Sequence, residues 1–347
     1  MVRLRDIAQK AGVSIMTVSR VLHDSPDIAD ATKVRVAAIA SQMGYVPDFA
    51  ARGLRTRTTH ILGLVVPTVT DPLHAAALAA LQQEAIALGY DLLVAQSLNQ
   101  IEREEDSIQR FLGRHVDGLV VAPVYRVGAT ASLYERLLRS SSKVVLLGHP
   151  APFCHGFPSV ATDDLAGAIT ATRHLLELGH RRIAFLAGPS LSPAAQERFE
   201  GYRRALRDAR IEIDDRLVFN AGSAFEDGVK AARQLLSEFT GASAIVAFND
   251  PVAMGAATVV LARGLAIPSQ ISVVGFGGFP ASALFRVPLT TVSQPVVEIA
   301  TAAMRAMVRS LRGEPAQNER FLPELTVRAS TASAAVASPA APPPLSS

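Results

Sequence analysis

From residue 60 onward, short apolar runs rich in β-branched residues alternate with longer amphipathic runs of helical length. Uninterrupted apolar runs of this length are typical of parallel strands buried on both faces, and the amphipathic runs predict the helices that cover them. The alternation therefore predicts an α/β fold with parallel sheets, in which ligands bind at the carboxyl ends of the strands. The predicted strands are HILGLVVP, YDLLVAQS, DGLVVAP, RRIAFLAG, SAIVAFN and QISVVGF.

The first residues have a different pattern, which predicts a small helical headpiece. In LRDIAQKAGVSIMTVSRVLHDS, apolar residues recur at helical spacing on both sides of Gly12. Gly12 can adopt the left-handed conformation of a tight turn, and Ser14 can cap the helix that follows. This is a helix-turn-helix, whose second helix enters the major groove of DNA. A third helix, from about Ala31 to Met43, is expected to complete the core through Val34, Ala37, Ala38 and Ile39.

Positive charge is concentrated in the same N-terminal region. Residues 1–59 contain nine Lys or Arg and five Asp, a net charge of +4, whereas the whole chain carries +3. The remaining residues therefore sum to about −1. A basic unit joined to a nearly neutral body is expected if only the first part contacts a polyanion such as DNA.

Two motifs here carry a resemblance to a known family. DIAQKAGVSIMTVSRVL, followed by GYVPDFAARGLRT at residues 44–56, resembles the DNA-binding region of the lactose-repressor (LacI/GalR) family of bacterial transcription regulators. The resemblance implies that Ile15, Met16 and Arg20 read operator bases. Arg can form a bidentate contact with guanine, whereas Ile and Met offer apolar contacts, for instance to a thymine methyl. The expected DNA-binding residues of the headpiece are Ser14, Ile15, Met16, Thr17, Ser19 and Arg20.

The segment from Pro47 to Leu54 resembles the family's hinge helix, which orders on the operator. By this resemblance Ala51 and Leu54 contact DNA, with Leu54 inserted into the minor groove as an apolar wedge that kinks the duplex. The alternative is that Leu54 is a linker residue packed on the body of the protein. The expected domains are a headpiece at residues 1–46, a hinge and linker at 47–59, a core at 60–328 and a tail at 329–347.

The two successive series of strands and helices resemble the family's core, a bilobed fold of the periplasmic-binding-protein type with an effector in the cleft. This core contains ISVVGFGGFPAS, residues 271–282, whose glycines could suggest a nucleotide loop. A dinucleotide loop opens a helix early in a βαβ unit, whereas these glycines come near the end of the second lobe. We therefore expect a strand end at the ligand site, with Gly277 and Gly278 where the family usually has two Asp.

Other cleft positions also depart from the family pattern. Gln196 is matched to a usual Arg, so charge-assisted bonds to sugar hydroxyls are expected to be fewer. His74, Tyr125 and Arg126 could instead receive an anionic group such as a sugar acid or phosphate. The alternative is that His74 and Tyr125 lie at the rim and Arg126 is a solvated charge. The expected effector-binding residues are His74, Tyr125, Arg126, Asp163, Gln196, Asn249 and Gly277.

The sequence predicts neither an enzyme nor a cofactor. GHPAPFCHGF places His149, Cys154 and His155 close together, but one Cys and two His without a carboxylate at metal spacing are a weak zinc signal. Asp163 and Asp164 are adjacent, which favours helix capping and an effector contact over paired catalytic carboxylates. A Gly-x-Ser-x-Gly elbow and a Walker loop are both missing from the sequence.

The two ends of the chain bear on assembly and compartment. Residues 329–347, mostly Ala, Pro and Ser, predict a disordered tail without a leucine heptad, so a dimer is expected. Charged residues interrupt the N-terminus, Cys154 is the single cysteine, and no apolar run has the length of a membrane span, which predicts a soluble cytoplasmic protein.

These observations predict a sequence-specific transcription regulator. As a repressor, it would bind a near-palindromic operator as a homodimer under the control of a small polar metabolite, such as a sugar or sugar derivative. Two alternatives remain at this point. One is a bilobed solute-binding receptor, and the other is a regulator controlled by a protein partner.

Overall fold

The computed structural model describes residues 2–22, 24–45, 58–140, 142–238 and 240–334. Contacts divide the chain into two compact units, residues 1–59 and residues 60–347. The predicted hinge residues Ala51 and Leu54 lie outside the described residues. Within the described ranges, no helix is long and apolar enough to cross a membrane.

The N-terminal unit contains the predicted helix-turn-helix. Gly12 ends the first helix with a φ of 64°, in the left-handed region. The Oγ of Ser14 accepts a hydrogen bond from the Thr17 backbone N–H over 3.0 Å and so caps the second helix. The helices are α1 (Leu4–Ala11), α2 (Ile15–Leu22) and α3 (Asp30–Gln42).

The packed face of α3 differs from the prediction. Val36 and Ala40, one turn apart, lie in the headpiece core, whereas Val34 is 70% exposed. Ala37 and Ala38 are also exposed, and Ile39 is partly buried. The prediction was wrong for Val34, Ala37 and Ala38, whereas Ile39 packs against the headpiece core as predicted. Small and apolar residues are spread around the whole helix, so the sequence pattern does not single out one face.

Lobe 1 is built on a parallel sheet with the strand order β11-β5-β4-β3-β1-β2. Its elements are β1 (Ile61–Val66), α4 (Pro72–Ala87), β2 (Asp91–Gln96), α5 (Ile101–Gly113), β3 (Gly118–Val121), α6 (Ser132–Arg139), β4 (Val144–Leu147), β5 (Ser159–Thr162), α12 (Val296–Leu311) and β11 (Glu319–Phe321). In β1, Leu62 and Leu64 pack with Met304 of α12, and Val65 packs on the opposite face with Phe111. Helices therefore cover both faces of the sheet, as predicted.

Lobe 2 repeats this arrangement with the strand order β12-β10-β9-β8-β6-β7, in which only the pairing of β12 with β10 is antiparallel among the described strands. Its elements are α7 (Asp164–Glu177), β6 (Ile183–Ala187), α8 (Pro193–Asp208), β7 (Val218–Asn220), α9 (Phe225–Ser237), β8 (Ala244–Ala247), α10 (Asp250–Ala262), β9 (Ser272–Gly277), α11 (Pro280–Leu284), β10 (Thr290–Ser293) and β12 (Glu324–Thr326).

The chain crosses between the lobes at residues 162–164, 293–296 and 321–324, all of which are described. The Oγ1 of Thr162 donates to Oε1 of Gln294 over 2.7 Å, which ties the first crossing to the second. Because β5 and β10 each lead from their carboxyl end into the other lobe, the carboxyl edges of the two sheets face one another. The predicted ligand position is therefore the cleft between the lobes.

The predicted tail begins later than residue 329. The backbone N–H of Val273 donates to the Ser330 carbonyl over 2.8 Å, and the Ser330 hydroxyl donates to the Val273 carbonyl over 2.6 Å. The backbone N–H of Ala334 also donates to the Leu178 carbonyl over 2.8 Å. The prediction of disorder is thus wrong for residues 330–334, whose hydrogen bonds depend on lobe 2 and leave no trace in composition. Residues 335–347 lie outside the described residues.

Candidate functional site

The N-terminal end of α2 presents the side chains that were predicted to read DNA. Val18 and Val21 face the headpiece core, whereas Ile15 is 46% and Met16 66% exposed. Arg20 is also exposed and lies four residues after Met16, on the same face of the helix. An apolar pair and one guanidinium are thus held on a rigid helix whose first turn is capped.

Two predicted effector residues begin helices at the cleft. Asp163 accepts a hydrogen bond from the Ala166 N–H over 3.0 Å at the start of α7. The Oδ1 of Asn249 accepts one from the Val252 N–H over 2.9 Å at the start of α10, and its Nδ2 donates to the Ser223 carbonyl over 2.8 Å. Both side chains stand at strand ends as expected, and their caps fix the orientation in which a ligand would meet them.

The backbone conformation at the end of β9 and in the loop that follows favours glycine at two positions. Gly277 has a φ of 135° and Gly278 a φ of 76°, a range that favours glycine. A Cβ at Gly278 would lie 2.7 Å from Oγ of Ser293, and one at Gly277 would lie 3.6 Å from Leu73 of lobe 1. Gly277 therefore stands on the cleft opposite Leu73, and the loop carries no carboxylate at the two glycine positions.

Buried hydrogen bonds from Asp250 hold this loop. Its Oδ2 accepts from the Phe279 N–H over 2.8 Å, and its Oδ1 accepts from the Thr291 hydroxyl over 2.5 Å. Burial raises the pKa of Asp250, although these hydrogen bonds oppose the rise. Asp250 is therefore a structural support of the cleft rather than an open ligand contact.

Arg126 does not offer a free charge to an anion. Its guanidinium pairs with Glu104, and it pairs with Glu105 over 2.8 Å. It also lies 4.7 Å from the centre of the Phe153 ring. The expectation of an anion site at Arg126 is corrected here, and so is the alternative of a solvated charge, because the side chain is buried.

The other two members of that expected anion site have environments of their own. The Tyr125 hydroxyl donates to the His149 carbonyl over 2.9 Å, and burial raises the pKa of Tyr125 well above its usual value. The Nδ1 of His74 lies 3.8 Å from Asp71 and has no hydrogen-bond partner among the described residues. Of the three, His74 keeps the capacity to bind a polar ligand group.

The arginine of α8 that faces the cleft is Arg198. Gln196 is exposed, and its Nε2 donates to the Ser190 carbonyl over 2.8 Å. Arg198 is buried, donates from Nε to Oδ1 of Asp164 over 2.7 Å, and lies 3.6 Å above the centre of the Phe276 ring. Gln196 stays a predicted effector residue, and Arg198, two residues later on the same helix, is a buried arginine that the prediction did not include.

The helical periodicity of the α8 sequence already indicates that Arg198 is buried. Ala195, Tyr202 and Ala205 form the buried stripe of α8, and Arg198 lies three residues after the first and four before the second. A charged residue in a buried stripe indicates a buried partner. That partner is Asp164. Burial alone raises the pKa of this carboxyl, but Arg198 and His149 outweigh burial and hold the pKa below its usual value.

One group of three side chains of metal-binding type was found among the described residues, with donor atoms within 4.8 Å of one another. It consists of His149, Asp164 and Glu197. The imidazole of His149 stands between the carboxylates, with Nε2 2.5 Å from Asp164 and Nδ1 3.6 Å from Glu197. Each carboxylate also pairs with an arginine. This geometry suits a histidine that is hydrogen-bonded to Asp164 and lies beside Glu197 better than three donors converging on a cation.

The neighbouring thiol does not join this group. Cys154 is buried, its Sγ accepts a hydrogen bond from the Ala151 N–H over 3.3 Å, and burial raises its pKa to about 11. His155 is exposed, and its Nδ1 lies 2.6 Å from the Pro152 carbonyl. The three residues of GHPAPFCHGF therefore have separate environments.

With this geometry established, comparison with known proteins is informative. Residues 3–48 match the model of bacterial regulatory proteins, lacI family, and residues 172–331 match a periplasmic binding protein-like domain. The HTH-type transcriptional regulator GalR of Escherichia coli (strain K12) is 33% identical over 329 residues, 94% of this chain and 92% of GalR. The chain belongs to the LacI family. As a LacI-family member it is a DNA-binding transcription regulator, which favours that prediction over the solute-binding receptor.

Solved LacI-family structures agree with the fold. The transcriptional regulator CelR in complex with cellobiose is 30% identical, has a TM-score of 0.72, and the match covers 95% of this chain and 100% of CelR. The lac repressor dimer bound to operator and the anti-inducer ONPF is 24% identical, with a TM-score of 0.85 and coverage of 95% and 99%. At that identity the lac repressor bears on the fold alone, and it supports a helix-turn-helix headpiece and two α/β lobes.

Proposed function

We propose that this chain is a repressor that binds a near-palindromic operator as a homodimer and responds to a small polar metabolite in the interlobe cleft. The observation that carries the proposal is the exposed face of α2, where Ile15, Met16 and Arg20 project from a capped and packed helix. Exposed apolar residues at the start of such a helix have no role in headpiece packing, and they suit contacts with base edges in the major groove.

The side chains on this face of α2 predict which bases it prefers. Arg20 can donate two hydrogen bonds to one guanine, and Ile15 and Met16 can contact thymine methyl groups. Ser14, Thr17 and Ser19 are proposed to position the helix on the phosphate backbone. Through the hinge, Ala51 and Leu54 are proposed to contact the minor groove at the centre of the operator.

The proposed effector is an uncharged, hydroxyl-rich molecule such as a sugar. Arg126 and Arg198 are already paired with acidic side chains of the protein, so neither favours an added anion. His74 lies in the first turn of α4, and Asp163 and Asn249 follow the ends of β5 and β8, with polar groups suited to hydroxyl contacts. CelR, a relative 30% identical, was solved with cellobiose, which supports the same class of ligand.

The proposed dimer uses apolar surface on both lobes. β2 is an edge strand of lobe 1 with Val94 exposed, and Ile86 and Leu98 are exposed close by in sequence. On lobe 2, Leu284 is 88% exposed. Exposed apolar groups of this size favour an interface, and a two-fold dimer would present two headpieces to a near-palindromic operator.

Selection of DNA from a random duplex pool by the full chain tests this function. We expect an enriched site with two inverted half-sites, and we expect an added sugar to change the affinity of the full chain for that site. Placing the site over a reporter promoter then separates repression from activation. Enrichment of a single half-site, or of no sequence, would contradict the proposed dimeric operator complex.

A further inference from the structure

A groove lies on lobe 2 at the edge of the sheet that is opposite to the interlobe cleft. Its volume is about 470 Å³, which falls within the range of small-molecule sites, about 300–1,000 Å³. Ala242 and Ile271 line it shortly before β8 and β9 begin, and Leu235 lines it near the end of α9. The cleft lies at the carboxyl ends of the same strands. The groove is therefore separate from the proposed effector site.

Most of the side chains that line the groove are apolar. Leu235 and Ile271 are buried members of the lobe 2 core, and Leu236, Ala242 and Leu265 are partly buried and pack against that core. An apolar chain or ring placed in the groove would leave water for this surface. Burial of one methylene group strengthens binding by about fourfold. The groove therefore favours a ligand with an apolar part.

Two side chains with N–H donors, Arg263 and Gln270, also line the groove. Arg263 follows α10 and is exposed, and its guanidinium has no hydrogen-bond or ion-pair partner in the part of the chain that the structure describes. The Oε1 of Gln270 accepts a hydrogen bond from the Ala266 backbone N–H over 2.7 Å, so Nε2 is the end of this amide left to bind a ligand. None of the described lining residues except these two carries a guanidinium or an amide side chain, and none is acidic. The groove thus offers a positive charge without a carboxylate of its own to neutralise it.

We propose that this groove binds an amphipathic carboxylate, such as a fatty acid of medium chain length. The carboxylate pairs with the Arg263 guanidinium, which can donate two parallel hydrogen bonds to it, and accepts a further one from Gln270. The apolar part packs against Leu236 and Leu265. A sugar has neither the negative charge nor the apolar part, so this site selects a different class of molecule from the cleft. The proposal does not depend on the identity of the operator or of the effector.

Isothermal titration of the full chain with octanoate, kept below the concentration at which it forms micelles, tests the site. We expect one octanoate to bind per chain with saturation. The affinity should fall by about fourfold for each methylene group removed in hexanoate and butanoate, because less apolar surface is buried. Octylamine has a similar chain and the opposite charge, and it should not compete with octanoate. Equal binding of octylamine and octanoate would contradict recognition of the carboxylate by Arg263.

Variants locate the bound octanoate. Arg263→Gln should weaken its binding by about tenfold, the lower end of the range for a hydrogen-bonded charge, because the groove is open to water. Arg233→Gln removes an exposed arginine of α9 that does not line the groove, and it should keep the native affinity. Leu265→Ser should weaken binding through the apolar contact, and it decides the question if Arg263→Gln does not fold by circular dichroism. Native affinity in both Arg263→Gln and Leu265→Ser would place octanoate elsewhere and overturn the proposal.

One further variant tests whether the chain itself fills the groove. Phe239 comes between the lining residues Leu236 and Thr240 in sequence and lies outside the described residues. We expect the native chain to bind octanoate without any change at this position. Binding that appears only in Phe239→Ala would assign the groove to the chain's own ring, and a native chain that binds no octanoate would equally reject the proposed site.

Discussion

Arg198 and Asp164 form a buried ion pair at the floor of the interlobe cleft. The guanidinium donates from Nε to Oδ1 of Asp164 over 2.7 Å and from Nη1 to the Phe248 carbonyl over 2.6 Å. It also lies 3.6 Å above the centre of the Phe276 ring. Because the carboxylate and the guanidinium neutralise each other away from solvent, removal of one leaves the other as an uncompensated buried charge.

The first prediction concerns this pair. Arg198→Met should lower the free energy of unfolding of the core by about 3–5 kcal/mol, because it leaves the Asp164 carboxylate buried without its strongest partner. Gln196→Ala, two residues away on the same helix but exposed, should change it by no more than about 0.5 kcal/mol. Urea unfolding of the full-length variants measures both changes in the free energy of unfolding. Equal effects of the two substitutions would contradict the structural assignment of Arg198.

The second prediction concerns DNA reading by α2. Arg20→Ala should weaken binding to the selected operator by about 1–3 kcal/mol, roughly 5- to 150-fold, with a smaller loss on random DNA. Fluorescence anisotropy at fixed salt measures both affinities. Arg35→Ala removes an exposed charge of α3 and is the control, for which losses on operator and random DNA should be similar. Equal losses for Arg20→Ala would assign Arg20 to phosphate contact.

The third prediction concerns pH and the buried carboxyl of Glu104. Burial raises the pKa of Glu104 to about 7, although the Val124 N–H and Arg126 oppose the rise. Between the unfolded pKa of about 4.5 and the folded pKa of about 7, the folded state holds a proton that the unfolded state has lost. The contribution of this group to stability is therefore complete at low pH and is lost as pH rises through 7.

Glu104→Gln should remove this dependence. The slope of the unfolding free energy against pH between 5 and 7.5 should become less negative in Glu104→Gln, because glutamine does not titrate. Glu135→Gln, which removes an exposed carboxyl of the same lobe, should leave the native slope. An unchanged slope in Glu104→Gln would show that the carboxyl is ionised throughout this pH range in the fold.

The fourth prediction separates backbone strain from crowding in the glycine loop. Gly278 and Gly264 have nearly the same φ, 76° and 77°, but a Cβ at Gly278 would lie 2.7 Å from Ser293, while one at Gly264 would meet no atom within 4 Å. Gly264→Ala should lower stability by about 1–2 kcal/mol through conformation alone. Gly278→Ala should lower it by a further 1–3 kcal/mol or so through overpacking. Thermal unfolding that gave the two variants equal losses would argue against crowding at Ser293.

The fold was accessible from sequence because its signals are local. The apolar runs of β1, β3 and β9 and the cap of α2 by Ser14 depend on neighbouring residues, and these features lie where they were predicted. The face of α3 and the hydrogen bonds of Ser330 depend on contacts distant in the chain. Sequence pattern carries little information about such contacts when the residues involved are small.

The cleft was harder to predict because side-chain pairing decides what each residue can do. Arg126 was expected to bind an anion, but Glu104 and Glu105, more than twenty positions earlier, neutralise it. Arg198 was not among the predicted residues, although its place in the buried stripe of α8 marks it. Sequence thus located the strand ends that form the site, and it did not reveal which of their charges are already matched.

Lobe 1 is completed by a segment that is synthesised late. Its sheet ends in β11, and Met304 and Met307 of α12 share one core cluster with Leu62 and Leu64, which lie more than two hundred residues earlier in the chain. A ribosome that has released β1 to β5 therefore exposes an unfinished apolar surface until residue 321 emerges, while most of lobe 2 is already available to fold. A chain truncated before α12 would therefore retain the headpiece sequence but lack the helix and the edge strand that complete lobe 1.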